Sequence, residues 1–117
     1  MLPTRARLTS PSDFAKATKS GSRVATQNFV GYLYIQPATT DVAKAGLIIG
    51  KSVGGSVQRH RLSRQVRHLI APLLPNFPEG SLLVIRALNN QSENLSEEIS
   101  YLTSSLLKKV ASRKAGV

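Results

Sequence analysis

The 117-residue chain has no cysteine and no tryptophan, and it contains only six acidic residues. The absence of cysteine excludes disulfides, thiolate nucleophiles and cysteine-ligated zinc or iron–sulfur centres. With only three phenylalanines and three tyrosines, the core must be built mainly from leucine, isoleucine and valine. A chain of this length predicts a single domain, residues 1–117, whose stability comes from packing alone.

Long hydrophobic runs are also missing. The longest aliphatic stretches, residues 46–50 and 82–85, are much too short to cross a bilayer. Residues 1–5 lack the apolar segment of a signal peptide. We therefore expect a soluble, cytoplasmic protein that has no membrane partner.

The charges of this chain are strongly unbalanced. Sixteen lysines and arginines oppose the six acidic residues, which gives a formal net charge of +10. This excess indicates a polyanionic partner, and nucleic acid and an anionic membrane surface both qualify on charge alone. No acidic residue lies between Asp41 and Glu79, a segment that holds Lys44, Lys51, Arg59, Arg61, Arg64 and Arg67.

The apolar periodicity predicts an α+β fold in the order α-β-β-β-α-β-α. We expect a single mixed sheet of about four strands, covered largely on one side by three helices. The first helix begins with Ser10 as N-cap, Pro11 and a capping Asp13, and it stops at Gly21. The other predicted elements are strands at residues 23–36, 43–51 and 81–88, a helix at 57–74, and a last helix from Ser96 as N-cap with a tail at 111–117 that frays. The segments at 23–36 and 43–51 are expected to pair.

The central helix divides into two faces when it is wound at about 100° per residue. One sector is apolar, and the opposite sector carries His60, Arg61, Arg64, Arg67 and His68. Arg59 lies off this sector, near the edge of the apolar face and the start of the helix. Arginine forms bidentate contacts with phosphate, and no acidic residue stands at i+4 to neutralise the face. This pattern predicts a face that binds the RNA backbone; a merely solvated basic face is the alternative.

Four further features bear on chemical sites: the turn at residues 50–56, the two histidines, the adjacent glutamates and the serines. The turn at residues 50–56 could bring backbone N–H groups to an anion, although a tight turn that needs positive φ explains its glycines equally well. His60 and His68 are eight positions apart, about 12 Å along the helix, which is too far to share a metal. Glu97 and Glu98 diverge around their helix, and no serine has a His and Asp constellation. We therefore expect neither a catalytic residue nor a metal site in this chain.

The segment GLIIGKSVGGSVQRHRLSRQVR, residues 46–67, resembles the signature of the bacterial ribonuclease P protein. In that family a strand ends in lysine, a Val-Gly-x-Ala-Val turn follows, and a helix then opens with Arg-Asn-Arg. The resemblance extends over about residues 5–110, because Asp13-Phe14, Gly21 and the strand around Phe29 and Tyr32 match in order and spacing. The departures are His60 for asparagine, Ser52 for a second lysine, Ser63 for a basic residue and Thr18 for a second aromatic.

The resemblance implies a ribosomal protein S5 domain 2-like fold with a left-handed crossover through the arginine-rich helix. It also implies two RNA partners and no required protein partner: a catalytic RNA that acts with Mg²⁺, and the precursor tRNA whose 5′ leader this RNA removes. Carried over by position, Phe14 and Tyr32 contact the leader, with core packing as the alternative for each. The residues implied to contact the catalytic RNA are Lys51, Arg59, His60, Arg61, Arg64, Arg67 and His68.

Two other functions remain open from the residues. A structural RNA-binding protein of the ribosomal kind would have the same charge pattern and no role in processing. A self-sufficient protein nuclease would need paired carboxylates or a histidine constellation, and the sequence offers neither.

Overall fold

The computed structural model describes residues 6–115, with side chains described through residue 111. Its helices are α1 (Pro11–Ser20), α2 (Ser56–Ile70) and α3 (Leu95–Ala115), and its strands are β1 (Ser22–Ala25), β2 (Phe29–Ile35), β3 (Lys44–Ile49) and β4 (Ser81–Ala87). This order confirms the predicted α+β arrangement, and the segment predicted as one strand at 23–36 forms two strands, β1 and β2, that pair as a hairpin. The segment 1–5, which is predicted not to be a signal peptide, and residues 116–117 of the tail lie outside the described residues. Fraying of the tail stays a prediction.

The four strands form one mixed sheet in the order β1-β2-β4-β3. Antiparallel pairs join β1 to β2 and β2 to β4, whereas β3 and β4 are parallel. The expected pairing of residues 23–36 with residues 43–51 was therefore wrong, because β4 lies between β2 and β3. The run from Leu82 to Ile85 is at most 1% exposed and needs a neighbouring strand on each side, which an edge position cannot supply. The handedness of the β3-α2-β4 crossover stays a prediction.

Side chains alternate between the two faces of the sheet, and each face has its own apolar cluster. On one face Phe29, Leu33, Leu83 and Ile85 pack against α2 and α3. The helices contribute Leu62, Val66, Ile70, Ile99, Leu102 and Leu106 to this main core. On the other face Leu82 and Val84 pack with Ala17 and Phe14 of α1. Two helices therefore cover one face and α1 covers the other, which refines the one-sided cover that the sequence predicts.

The helix ends differ in detail from the predicted caps. The Asn94 side-chain oxygen accepts a hydrogen bond from the backbone N–H of Glu97 at 3.0 Å, so Asn94 is the N-cap of α3 and Ser96 lies inside the first turn. Ser10 does precede α1, but its hydroxyl bonds to that of Ser12 and caps no backbone N–H. Asp13 likewise lies 3.9 Å from the Lys16 ammonium instead of capping the helix.

Gly21 ends α1 as predicted, but for a different physical reason. Its φ of −80° is open to any residue. A Cβ at this position would lie 2.5 Å from the carbonyl oxygen of Ala17 and 2.9 Å from that of Leu33. Glycine is therefore needed because the end of α1 approaches β2 too closely for any side chain.

The Glu98 carboxylate joins α3 to the β1–β2 hairpin. One oxygen accepts hydrogen bonds from the Asn28 backbone N–H at 2.9 Å and from the Thr26 hydroxyl. The other accepts from the Asn28 side-chain amide at 2.8 Å and from the Ser92 hydroxyl at 2.6 Å. Partial burial alone would raise the pKa of Glu98, but the hydrogen bonds from Asn28, Ser92 and Thr26 outweigh it and lower the pKa.

The substitution Glu98→Gln tests this junction, since an amide cannot accept all four hydrogen bonds. We expect the free energy of unfolding at pH 7 to fall by about 1–3 kcal/mol. The folded-state pKa of Glu98 is lowered, so this carboxylate stabilises the fold at pH values above its unfolded-state pKa. That stabilisation is lost as the pH falls through the folded-state pKa. The difference in the free energy of unfolding between wild type and variant should therefore become smaller in acid. Urea unfolding at a series of pH values measures it.

Glu97→Gln is the matched control, because it removes a carboxylate from the same turn of α3. Among the described residues the Glu97 side chain has no hydrogen-bond or ion-pair partner, so this variant loses only the favourable contact with the helix dipole. Equal losses of stability in the two variants, or a loss that does not change with pH, would contradict the role given to Glu98.

Candidate nucleic-acid interface

The exposed face of α2 carries the predicted cations. His60, Arg61, Arg64, Arg67 and His68 are all exposed, whereas Leu62, Val66 and Ile70 are buried in the main core. No acidic residue lies in the first turn of this helix, and within residues 6–115 its arginines form no ion pair. This face therefore presents positive charge that nothing in the described part of the chain neutralises.

Arg59 lies beside this face, in a groove between α2 and the edge strand β3. The groove encloses a cavity of about 330 Å³ lined by Leu47, Ile49, Ser56, Arg59, His60, Ser63 and Arg67. The Nε of Arg59 is buried and has no hydrogen-bond partner among the described residues. A buried N–H without an acceptor is costly, so the groove suits an acceptor such as a phosphate oxygen.

The turn before α2 has the positive φ that its glycines suggested, and an anion site at the start of the helix stays a prediction. Gly54 has φ of +144°, a conformation that favours glycine. Lys51 is exposed in the short 3₁₀ turn Lys51–Val53, next to the start of α2. Gly55 is the N-cap of α2 and provides no side-chain hydrogen bond, so the first-turn N–H groups are left for an anion.

The predicted leader-contacting aromatics lie on the opposite face of the sheet. The Phe14 ring covers Gly46, where a Cβ would lie 2.5 Å from the ring. Tyr32 is paired with Val84, and Val84 with Gly46, so Tyr32 stands two strands, about 10 Å, from the strand position under Phe14. Both aromatics are half-buried in the smaller apolar cluster and keep part of their surface open.

Two arginines on this face were missed as site residues. Arg23 is directly opposite Tyr32 in the β1–β2 pair, and Arg86 follows Val84 by two residues on β4. Both are exposed. The available signal was that Arg86 is the single charge in an otherwise apolar strand. Together with Phe14 and Tyr32, these arginines form a surface of aromatics flanked by cations, which we call the α1-side surface.

The structure thus separates the predicted site residues into groups. Arg59, His60 and Arg67 meet in the groove beside β3, and Arg61 lies on the other flank of α2, in a cavity that it shares with Gln65. Phe14 and Tyr32 are on the far side of the sheet. In residues 6–115 no group of three or more His, Cys, Asp or Glu side chains could hold a metal ion. The described helices are also too short or too polar to cross a membrane.

This arrangement suits contact with an extended polyanion. Arginines on a rigid helix can bind phosphates, and half-exposed aromatics can stack on bases.

Comparison with protein families identifies one match that spans nearly the whole chain. The sequence model of the family described as Ribonuclease P matches residues 2–111. The ribonuclease P protein component of Mycobacteroides abscessus is 42% identical over 106 residues, which cover 85% of this chain and 82% of the relative. That of Corynebacterium diphtheriae is 34% identical, with 85% and 87% of the two chains covered.

Solved structures show the same fold at lower identity. The ribonuclease P protein of Staphylococcus aureus aligns with a TM-score of 0.69 at 20% identity and covers 90% of this chain and 94% of its own. That of Thermotoga maritima aligns with a TM-score of 0.60 at 23% identity and covers 93% and 97%. The fold, the family match and the relatives agree, and this chain belongs to the ribonuclease P protein family.

Proposed function

We propose that this chain is a ribonuclease P subunit with two RNA contacts, one on each side of its sheet. The α2 face binds the catalytic RNA, and the α1-side surface binds the 5′ leader of precursor tRNA in the cytoplasm. The observation that carries the proposal is the arginine face of α2, which has no ion-pair partner in residues 6–115 of a chain from this family. The result of the activity is a tRNA with a mature 5′ end.

On the α2 side, phosphate is the group that fits best. Arg61, Arg64 and Arg67 supply exposed guanidinium groups along about two turns of helix, and each guanidinium can bind a phosphate. The buried Nε of Arg59 gains an acceptor when a phosphate enters the groove beside β3. Lys51, His60 and His68 extend this surface, and His60 can donate or accept a hydrogen bond in place of the family's usual asparagine.

On the α1 side, a single strand is the ligand that fits best. Phe14 and Tyr32 can stack on unpaired bases, which is how proteins generally bind single-stranded RNA. Arg23 and Arg86 stand beside them and can contact the phosphates between those bases. Gly46 supports this contact because it has no side chain and so leaves room for the Phe14 ring.

The protein's part is binding and positioning, and the RNA subunit carries out the hydrolysis. Among the described side chains no group of three or more His, Cys, Asp or Glu could hold a metal ion, and Mg²⁺ favours phosphate oxygens, so we assign the magnesium ions to the RNA. Cations on α2 lower the repulsion between RNA phosphates, and a bound leader fixes the precursor in register. No protein partner is required for either role.

The cleavage reaction tests the proposal directly. A 5′-extended precursor tRNA is incubated at low magnesium with a bacterial ribonuclease P RNA, with and without this protein. We expect strong stimulation of cleavage at the mature 5′ end, because the protein supplies cations where magnesium is scarce. Tight RNA binding without stimulation would instead indicate a structural RNA-binding protein of the ribosomal kind.

The double variant Arg61→Ala, Arg64→Ala tests the α2 contact. Each lost phosphate contact should lower the slope of log affinity against log salt by about one unit or less, so the double variant should lose up to about two. The measurement is binding to ribonuclease P RNA at several salt concentrations. Lys19→Ala, Lys108→Ala is the control, since it removes the same charge from exposed positions on α1 and α3. An equal effect in both double variants would contradict a specific role for α2.

The variants Tyr32→Ala and Arg86→Ala test the α1-side surface. Stacking on one base is worth about 1–3 kcal/mol, so Tyr32→Ala should remove much of the affinity that a long leader adds over a leader of a single nucleotide. Affinity for the two precursors is compared with the assembled ribonucleoprotein, and Tyr32→Phe should behave as wild type. If the benefit of the long leader survives both alanine variants, the leader binds elsewhere.

A further inference from the structure

A polar cavity of about 550 Å³ lies where the β1–β2 hairpin, the β4–α3 loop and the start of α3 meet. None of the residues assigned above to the catalytic RNA or the leader lines it. The lining residues are Thr26, Gln27, Asn28, Gln91, Ser92, Glu93, Asn94, Glu97, Glu98 and Tyr101. The cavity therefore belongs to neither of the two proposed RNA contacts.

The residues that line this cavity form two groups: a floor of side chains that are hydrogen-bonded to each other, and a rim of side chains that are not. The floor is the Glu98 carboxylate with its bonded partners Thr26, Asn28 and Ser92. The rim consists of five side chains that form no hydrogen bond or ion pair within the described part of the chain: Gln27, Gln91, Glu93, Glu97 and Tyr101. These five side chains are exposed and are therefore available to a ligand that enters the cavity.

Tyr101 gives the cavity an open aromatic wall. Its side chain is 62% exposed, in a chain that has only six phenylalanines and tyrosines in total. Glu97 lies one turn earlier on the same face of α3, about 6 Å along the axis. A planar group that stacks on the Tyr101 ring therefore has the Glu97 carboxylate beside its edge.

The charges of the cavity favour a base over a phosphate. Glu93, Glu97 and Glu98 are three of the six acidic residues of the chain, and they repel any phosphate that enters. A nucleobase carries no charge and is not repelled. Guanine presents two adjacent N–H donors, N1–H and N2–H, that one carboxylate can accept together, whereas the edges of adenine, cytosine and uracil offer no such pair.

The cavity also adjoins a second cavity that reaches the cationic helix. A neighbouring cavity of about 320 Å³ shares Ser92 and Glu93 with it, and the far wall of this neighbour is formed by Arg61 and Gln65 of α2. An RNA strand whose phosphates contact α2 can therefore place an unpaired base against Tyr101.

We propose that this cavity is a guanine-binding subsite for one unpaired nucleotide of an RNA partner. Tyr101 stacks on the base, Glu97 accepts hydrogen bonds from N1–H and N2–H, and the Gln27 and Gln91 amides contact its remaining edge. The inference rests on the RNA-binding function proposed above and adds a base-specific contact to it.

The variants Tyr101→Ala, Tyr101→Phe and Glu97→Gln test this subsite in the full-length protein. Tyr101→Ala should weaken RNA binding by about 5- to 100-fold without changing the salt slope, because the lost contact is uncharged, and Tyr101→Phe should bind as wild type. Glu97→Gln should weaken binding by about tenfold. If the glutamate merely repels RNA, the same substitution strengthens binding, so the sign of its effect decides between the two roles.

Two binding assays locate the nucleotide. If the Tyr101→Ala and Glu97→Gln variants lose affinity for ribonuclease P RNA alone, the base belongs to the catalytic RNA. If they lose affinity only when the assembled ribonucleoprotein binds precursor tRNA, the base belongs to the precursor. Kethoxal, which reacts with N1 and N2 of unpaired guanine, provides the direct readout. We expect one guanine that wild type and Tyr101→Phe protect and that Tyr101→Ala and Glu97→Gln leave reactive.

The outcomes also separate this inference from the broader proposal. If wild type binds neither RNA, the proposed function fails and the subsite fails with it. If wild type binds and all three variants bind equally well, with no guanine whose protection depends on Tyr101, the subsite alone is overturned. Circular dichroism should show an unchanged fold in each variant, since Tyr101 and Glu97 are exposed.

Discussion

The burial of β4 on both of its faces is the constraint on which the rest of this structure depends. The strand has β2 on one side and β3 on the other, and its residues from Leu82 to Ile85 are almost without solvent contact. Helices must therefore cover both faces of the sheet, and the chain provides α2 and α3 for one and α1 for the other. This layering places the cationic face of α2 and the α1-side surface on opposite sides of the molecule.

Stability in this chain comes from apolar packing, and this leaves the cations available. The main core joins α2 and α3 to the sheet through fully buried aliphatic side chains, and the Lys16–Asp13 ion pair lies on a partly exposed part of α1. Self-repulsion of a chain with net charge +10 opposes compactness. In the proposed complex, an RNA partner relieves this repulsion and provides an acceptor for the buried Nε of Arg59, so the same charges favour binding.

Local patterns in the sequence predicted the elements and the two sectors of α2, because a 3.6-residue period reports directly which side of a helix is buried. They did not predict which strands are neighbours, because an apolar run such as residues 82–85 indicates that a strand is buried but does not indicate which strands pair with it. The pairing of β2 with β3 was wrong for this reason. The capping role of Asn94 was missed because several polar residues precede α3, and only the backbone geometry selects one of them.

Features assembled from distant segments were the least accessible to sequence reasoning. Arg23 joins Tyr32 through the β1–β2 register, and the cavity beside Tyr101 combines residues 26–28 with residues 91–101. Neither grouping has a spacing that marks it along the chain. The arginine face of α2 was accessible because one helix carries all of it. The resemblance of residues 46–67 to a known family added the expected roles, which sequence periodicity alone does not provide.

The central claim is that the sheet separates two RNA contacts, and site-specific photocrosslinking in the assembled ribonucleoprotein with bound precursor tests it most directly. A benzophenone amino acid is placed at position 32 on β2 in one protein and at position 64 on α2 in another. Position 32 should crosslink to the 5′ leader of the precursor and position 64 to the catalytic RNA. Crosslinks from both positions to the same RNA segment, or the reverse assignment, would contradict the separation.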